Sequence, residues 1–111
     1  MFQKFYPDLY ISSTYEIDFD RLYRDGYRGL IFDIDNTLVT HGAPANEKAK
    51  KLFAHLHELG FATCLISNNQ EPRVKSFADA VQSMYIYDAH KPSTKNYEKA
   101  MERMHTDKKN T

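Results

Sequence analysis

The stretch that decides the fold is GLIFDIDNTLVT, residues 29–40. An apolar run leads straight into Asp33, and Asp35, Asn36 and Thr37 follow after one isoleucine. Consecutive rather than alternating apolar residues predict a strand buried on both faces, the situation of a parallel sheet. Two carboxylates at the end of such a strand need solvent, a cation or a shared proton, and so mark a rim rather than a core.

Working outward, RGLIFDI (28–34) is the predicted first strand. Ile17, Leu22 and Tyr23 predict a short helix over 16–25, closed by Gly26. Downstream, Ala49, Leu52, Phe53 and Leu56 recur at helical spacing over 46–59, with Asn46 as N-cap and Gly60 past the end. FATCLIS (61–67) is a second apolar strand. Pro72 suits a first helical turn, and Val74, Phe77, Ala78 and Val81 mark one face of the helix it opens. MYIYDA (84–89) is a third strand, and Tyr97, Ala100, Met101 and Met104 mark a last helix. Strands alternating with helices predict an α/β fold with a parallel sheet and right-handed crossovers. Ligands bind such sheets beyond the C-terminal strand ends. The polar residues of interest all fall there: Asp33, Asp35 and Thr37 after the first strand, Ser67 and Asn68 after the second, Lys91 after the third.

Composition narrows the function classes. The 111 residues, 41% hydrophobic and 27% charged, fit one domain spanning 1–111. A formal net charge of zero gives no global field for nucleic acid or anionic lipid. The single cysteine, Cys64, excludes an internal disulfide and a cysteine zinc cluster, and its apolar setting predicts a buried, inert thiol. No signal-peptide pattern and no membrane-length apolar run is present, so a cytoplasmic protein is expected.

Residues two apart on an extended backbone project to one side, so Asp33 and Asp35 can face one small volume. Mg²⁺ suits them, since it takes oxygen ligands from one or two carboxylates plus phosphate. An aspartate can also act as a nucleophile through an aspartyl-phosphate, with a second carboxyl protonating the leaving group. The structural alternative makes the aspartates turn formers. A calcium loop starting at Asp33 would need Gly and Glu where Leu38 and Pro44 stand. The Ser67 hydroxyl could hold a phosphate oxygen or cap a turn, and Lys91 could neutralise a phosphoryl group or simply be solvated. His55 and His57 lie two apart on a helix and point different ways, and His41 has no assigned role.

These residues, in this order, resemble the haloacid dehalogenase (HAD) phosphatase superfamily. Its D-x-D-x-T motif matches Asp33 to Thr37, its strand-end Ser or Thr matches Ser67, and its later Lys matches Lys91. Within it, IFDIDNTLV, ISNNQEPRV, HKPSTKNYEKA and the N-terminal FYPDLY resemble the YqeG family of class IIIA. The resemblance implies a HAD-like Rossmannoid three-layer fold without a cap domain. It implies Asp33 as nucleophile, Asp35 as general acid and base, and Thr37 as support for the loop. Ser67 and Lys91 would bind the phosphoryl group, with Asn68 among the substrate-contacting residues. Mg²⁺ would sit on Asp33 and the backbone carbonyl of Asp35. The substrate is expected to be a phosphomonoester, a small molecule or lipid headgroup; the family's eukaryotic relatives dephosphorylate phosphatidylglycerophosphate.

One departure stands out. The family's fourth motif, G-D-Q-x-x-T-D, adds magnesium-binding carboxylates, and no such stretch occurs here. The expectation is a C-terminally incomplete HAD domain that binds Mg²⁺ poorly and hydrolyses phosphomonoesters weakly. Three strands placed in chain order put their crossover helices on one face. The opposite face and the outer edge of the first strand are then expected to lie bare, inviting self-association. The alternatives are an impaired fragment or a binding and assembly module. A receiver-type phospho-acceptor is a further alternative, disfavoured because its acidic pair is adjacent rather than spaced.

Overall fold

The computed structural model describes residues 14–35, 37–40, 42–88 and 94–111. The elements run α1 (Phe19–Arg24), β1 (Gly29–Asp33), α2 (Glu47–Leu59), β2 (Ala62–Ile66), α3 (Glu71–Val81), β3 (Met84–Ile86) and α4 (Thr94–Met104). The expected alternation and parallel pairing are both present. The sheet has the order β1-β2-β3, with Asp33 opposite Ile66 and Ile66 opposite Ile86.

Strand periodicity sorts the core into two halves. Phe32 and Leu65 point to one side, where they pack with Phe53 and Leu56 of α2 and with Val74, Phe77 and Val81 of α3. Phe19 of α1 joins this half, its ring centroid 6.1 Å from that of Phe32. Cys64, Ile66 and Ile86 point to the other side, where Ala100 and Met104 of α4 cover them. This corrects the expectation of a bare second face. α4 crosses the back of the sheet and touches all three strands. The outer edge of β1 is also not wholly bare. The Asn110 carbonyl accepts from the Arg28 and Gly29 N–H groups at 2.6 and 3.0 Å. A Cβ on Gly29 would lie 2.7 Å from Thr106 Oγ1, so the glycine lets the tail approach. Beyond it, Leu30 and Ile31 border an apolar hollow with Tyr97 and Met101.

Several boundaries shift for local reasons. α1 starts at Phe19 because Asp18 takes the N-cap, its side chain accepting from the Arg21 N–H at 3.1 Å, and Ile17 is left exposed. Asn46 caps α2 as expected, accepting from the Ala49 N–H at 2.9 Å. β3 stops at Ile86, three residues short of the predicted end. There the chain turns: Asp88 adopts a left-handed φ of 48° and donates its N–H to the Asn69 carbonyl at 2.8 Å.

Gly60 ends α2 with φ 112°, and a Cβ there would meet Tyr23 Oη at 2.7 Å. Tyr23 is not free to retreat, since its ring meets Phe61 edge-on and Arg28 lies over it at 3.7 Å. Gly60→Ala combines left-handed backbone strain with this clash. It is expected to cost on the order of 1–2 kcal/mol, read as a lower urea midpoint with unchanged slope.

Candidate active site

Three strand ends meet at one rim. Asp33 closes β1 and is exposed. Its sheet partner Ile66 closes β2, which puts Ser67 one residue beyond. The Ser67 N–H donates to the Ile86 carbonyl at 3.0 Å and joins the ends of β2 and β3. The topology thus brings the predicted Asp33 and Ser67 to the same rim, and Asp35 follows them onto it.

The aspartate loop is anchored from beneath. Ile34 and Leu38 are fully buried and Val39 nearly so. The Leu38 N–H donates to the Ile34 carbonyl at 3.0 Å, and Asp35 forms a β-bridge with Val39. Tyr15 reaches the loop from the N-terminal side, donating its hydroxyl to the Leu38 carbonyl at 2.9 Å. Burial pushes the Tyr15 phenol up to about 12, so it keeps this proton throughout the neutral range. Thr37 is half-buried, with its N–H on the Ile34 carbonyl at 3.4 Å.

Asp33 and Asp35 occupy different environments despite their spacing. Asp33 is exposed, whereas the Asp35 side chain is only 12% exposed. Asp35 Oδ1 accepts from the Gly42 N–H and from Arg73 Nη2, both at 2.9 Å. Asp35 Oδ2 accepts from Asn69 Nδ2 at 2.5 Å. One carboxylate therefore collects donors from its own loop, from the loop after β2 and from α3.

Ser67 is 1% exposed, and its Oγ accepts from the Asn69 N–H at 3.1 Å, a serine turn. The turn-forming reading of Ser67 is thus realised, and any anion has to reach a hydroxyl lying beneath this turn. Asn68 is exposed on the same loop. Lys91, Asn36 and His41 lie outside the described residues. His55 and His57 diverge as expected. His55 Nε2 faces Asp20 Oδ1 at 2.7 Å, and His57 Nε2 faces Thr63 Oγ1 at 3.0 Å, far from the rim.

The donor set bears on magnesium. Among the described residues no group of three His, Cys, Asp or Glu could enclose a metal. The Asp33 residue is exposed, while the Asp35 carboxylate is engaged with Arg73. Among the described residues, one exposed carboxylate suits an ion completed by phosphate and water, a habit of Mg²⁺, rather than a protein-only cage.

Two rim residues escaped the sequence reading, Asn69 and Arg73. Arg73 did leave a signal: it is a cation in the first turn of a helix, where the macrodipole opposes positive charge.

No family model matches the chain, and no solved structure matches it. The chain is 34% identical over 106 residues to a Bacillus subtilis (strain 168) protein named probable phosphatase YqeG. That alignment covers 94% of this chain and 62% of the relative, so the chain spans less than two thirds of the relative's length. Among the described residues no helix is long and apolar enough to cross a membrane.

Proposed function

Taking the chain as a member of the YqeG family of phosphatases, we propose that it hydrolyses a phosphomonoester in two steps at the rim of its sheet. The observation that carries this reading is the difference in exposure of the two aspartates: Asp33 is solvent-exposed at the end of β1, and the Asp35 side chain is 12% exposed beside Arg73, Asn69 and Gly42. A nucleophile needs access, and an acid and base group needs orientation.

In the first step an Asp33 carboxylate oxygen attacks phosphorus. The bond from phosphorus to the ester oxygen breaks, and the departing oxygen takes the proton of Asp35. In the second step a water oxygen attacks the aspartyl-phosphate, and the Asp35 carboxylate takes its proton. The bond from phosphorus to Asp33 then breaks, restoring the carboxylate and releasing inorganic phosphate. Ser67 and Asn68, on the loop after β2, and Lys91 are the proposed phosphoryl contacts, with Thr37 supporting the loop. Bound Mg²⁺ would be held by Asp33 and the Asp35 carbonyl and would offset the charge between the carboxylate and the phosphate. The connection from Asp35 to α2 is too short for a cap domain, so none is inserted there. A rim without that cap suits a bulky ester such as phosphatidylglycerophosphate.

The test is phosphate release from an aryl phosphate by the full chain, with Mg²⁺ and with excess chelator. The expected result is slow turnover that the chelator removes and added Mg²⁺ restores. Turnover indifferent to the chelator would sink the magnesium assignment, and no turnover at millimolar Mg²⁺ would sink the phosphatase reading. The second reading, a binding or assembly module, is favoured by the burial of Ser67, which is 1% exposed.

A further inference from the structure

We propose that Arg73 is a positioning residue, whose guanidinium holds the Asp35 carboxyl in place for proton transfer and locks the aspartate loop to α3. The inference rests on the two-step reading above, in which Asp35 carries the proton.

Three features of Arg73 support it. The ion pair with Asp35 is the most enclosed one among the described residues: Nη2 to Oδ1 is 2.9 Å, with side chains 21% and 12% exposed, whereas the others involve side chains about half exposed or more. A pair so shielded is screened far less than a surface pair. Secondly, Arg73 stands in the first turn of α3, where the helix dipole disfavours a cation, and Gln70 supplies no side-chain cap. A residue that opposes its local environment needs a compensating partner, and Asp35 is that partner. Thirdly, Arg73 Nε is buried without a hydrogen-bond partner among the described residues. A stranded donor is a cost that the other contacts of the guanidinium must offset. The guanidinium is held toward Asp35, with its carbon 5.5 Å from the Phe77 ring centroid.

The consequence for proton transfer is geometric. Asn69 fixes Oδ2, while Gly42 and Arg73 fix Oδ1, so the plane of the Asp35 carboxyl is set from three directions. Arg73 is the charged member of this set, and so its guanidinium is the firmest of the three holds on the carboxyl plane. Its loss should therefore matter most when the leaving oxygen needs a proton. Alkyl esters need one; a nitrophenyl ester, whose leaving group is already a weak base, does not.

The experiment uses the full chain with Mg²⁺, glycerol 3-phosphate and para-nitrophenyl phosphate, in wild type, Arg73→Met and Arg73→Lys. Arg73→Met is expected to lower kcat/KM, which reports the steps through departure of the leaving group, by about 10²-fold on the alkyl ester and only a few-fold on the aryl ester. Arg73→Lys should recover part of the loss. Equal losses of kcat/KM on both esters, or no recovery by Arg73→Lys, would overturn the positioning role. A wild type that turns over neither ester refutes the phosphatase reading instead. The contact itself is then judged by thermal unfolding. Asp35→Asn should lower Tm less in the Arg73→Met background than in wild type, and strictly additive losses overturn the inference whatever the activity. If the methionine variant does not fold, Arg73→Gln takes its place in both measurements.

Discussion

Replacing Asp33 by Asn is expected to lower phosphomonoester turnover by at least about 10³-fold while leaving the protein folded. The substitution keeps the size and planarity of the side chain and removes its nucleophilic oxygen anion. The folded state should tolerate it, because Asp33 is exposed at the last position of β1 and the β1 pairing with β2 is made by backbone. A loss this large, with Tm within a few degrees of wild type, separates chemistry from stability. Asp33→Glu gives the complementary result. It retains the charge but moves the oxygen by a methylene, and in-line attack on phosphorus is intolerant of such displacement. Both variants are to be assayed with wild type at saturating Mg²⁺. If the Asp33→Asn variant kept a tenth of wild-type activity, an aspartyl-phosphate on this residue would be ruled out.

The largest effect on stability is expected from Phe53→Ala. Phe53 is fully buried at the centre of the first core half, its ring 5.1 Å from Phe32 and 6.1 Å from His57. It joins α2 to β1, so the void left by truncation is bounded by a strand and cannot easily collapse. The expected loss is about 3–5 kcal/mol, a large share of the roughly 5–15 kcal/mol of a typical domain. Urea unfolding should show a much lower midpoint. Phe53→Leu, which fills most of the volume, should keep the greater part of the stability. If the alanine variant loses less than about 1 kcal/mol, the first core half is not what holds α2 to the sheet.

Much of this architecture was legible because it depends on local periodicity. The consecutive apolar runs in GLIFD and ATCLI announced parallel strands buried on two faces, and the spacing of Val74, Phe77, Ala78 and Val81 announced the inward face of α3. Cys64 proved buried, as its apolar surroundings implied. What the pattern left open is which surface an amphipathic helix covers. Ala100 and Met104 gave α4 a buried side, but nothing local says that this side lies against Cys64, Ile66 and Ile86 rather than against α3. Strand ends were also beyond it, since β3 ends where the Asp88 N–H bonds to Asn69 across the sheet. The same limit applied at the rim. Spacing brought Asp33 and Ser67 together, but the distribution of donors to Asp35 is a tertiary property. An isolated Arg73 behind Pro72 could be read as helix surface until its partner was located across the fold.

The placement of Cys64 has a further use. It lies on the middle strand beneath α4, and burial pushes its thiol up to about 11, slightly offset by Arg103 nearby. While α4 is docked, the sulfur is both covered and protonated, and so is doubly unreactive toward alkylating reagents. Undocking of that one helix would restore both accessibility and ionisation. The native chain thus carries a chemical clock in its lone sulfhydryl, whose labelling rate times the lifting of α4 separately from events at the opposite helical layer.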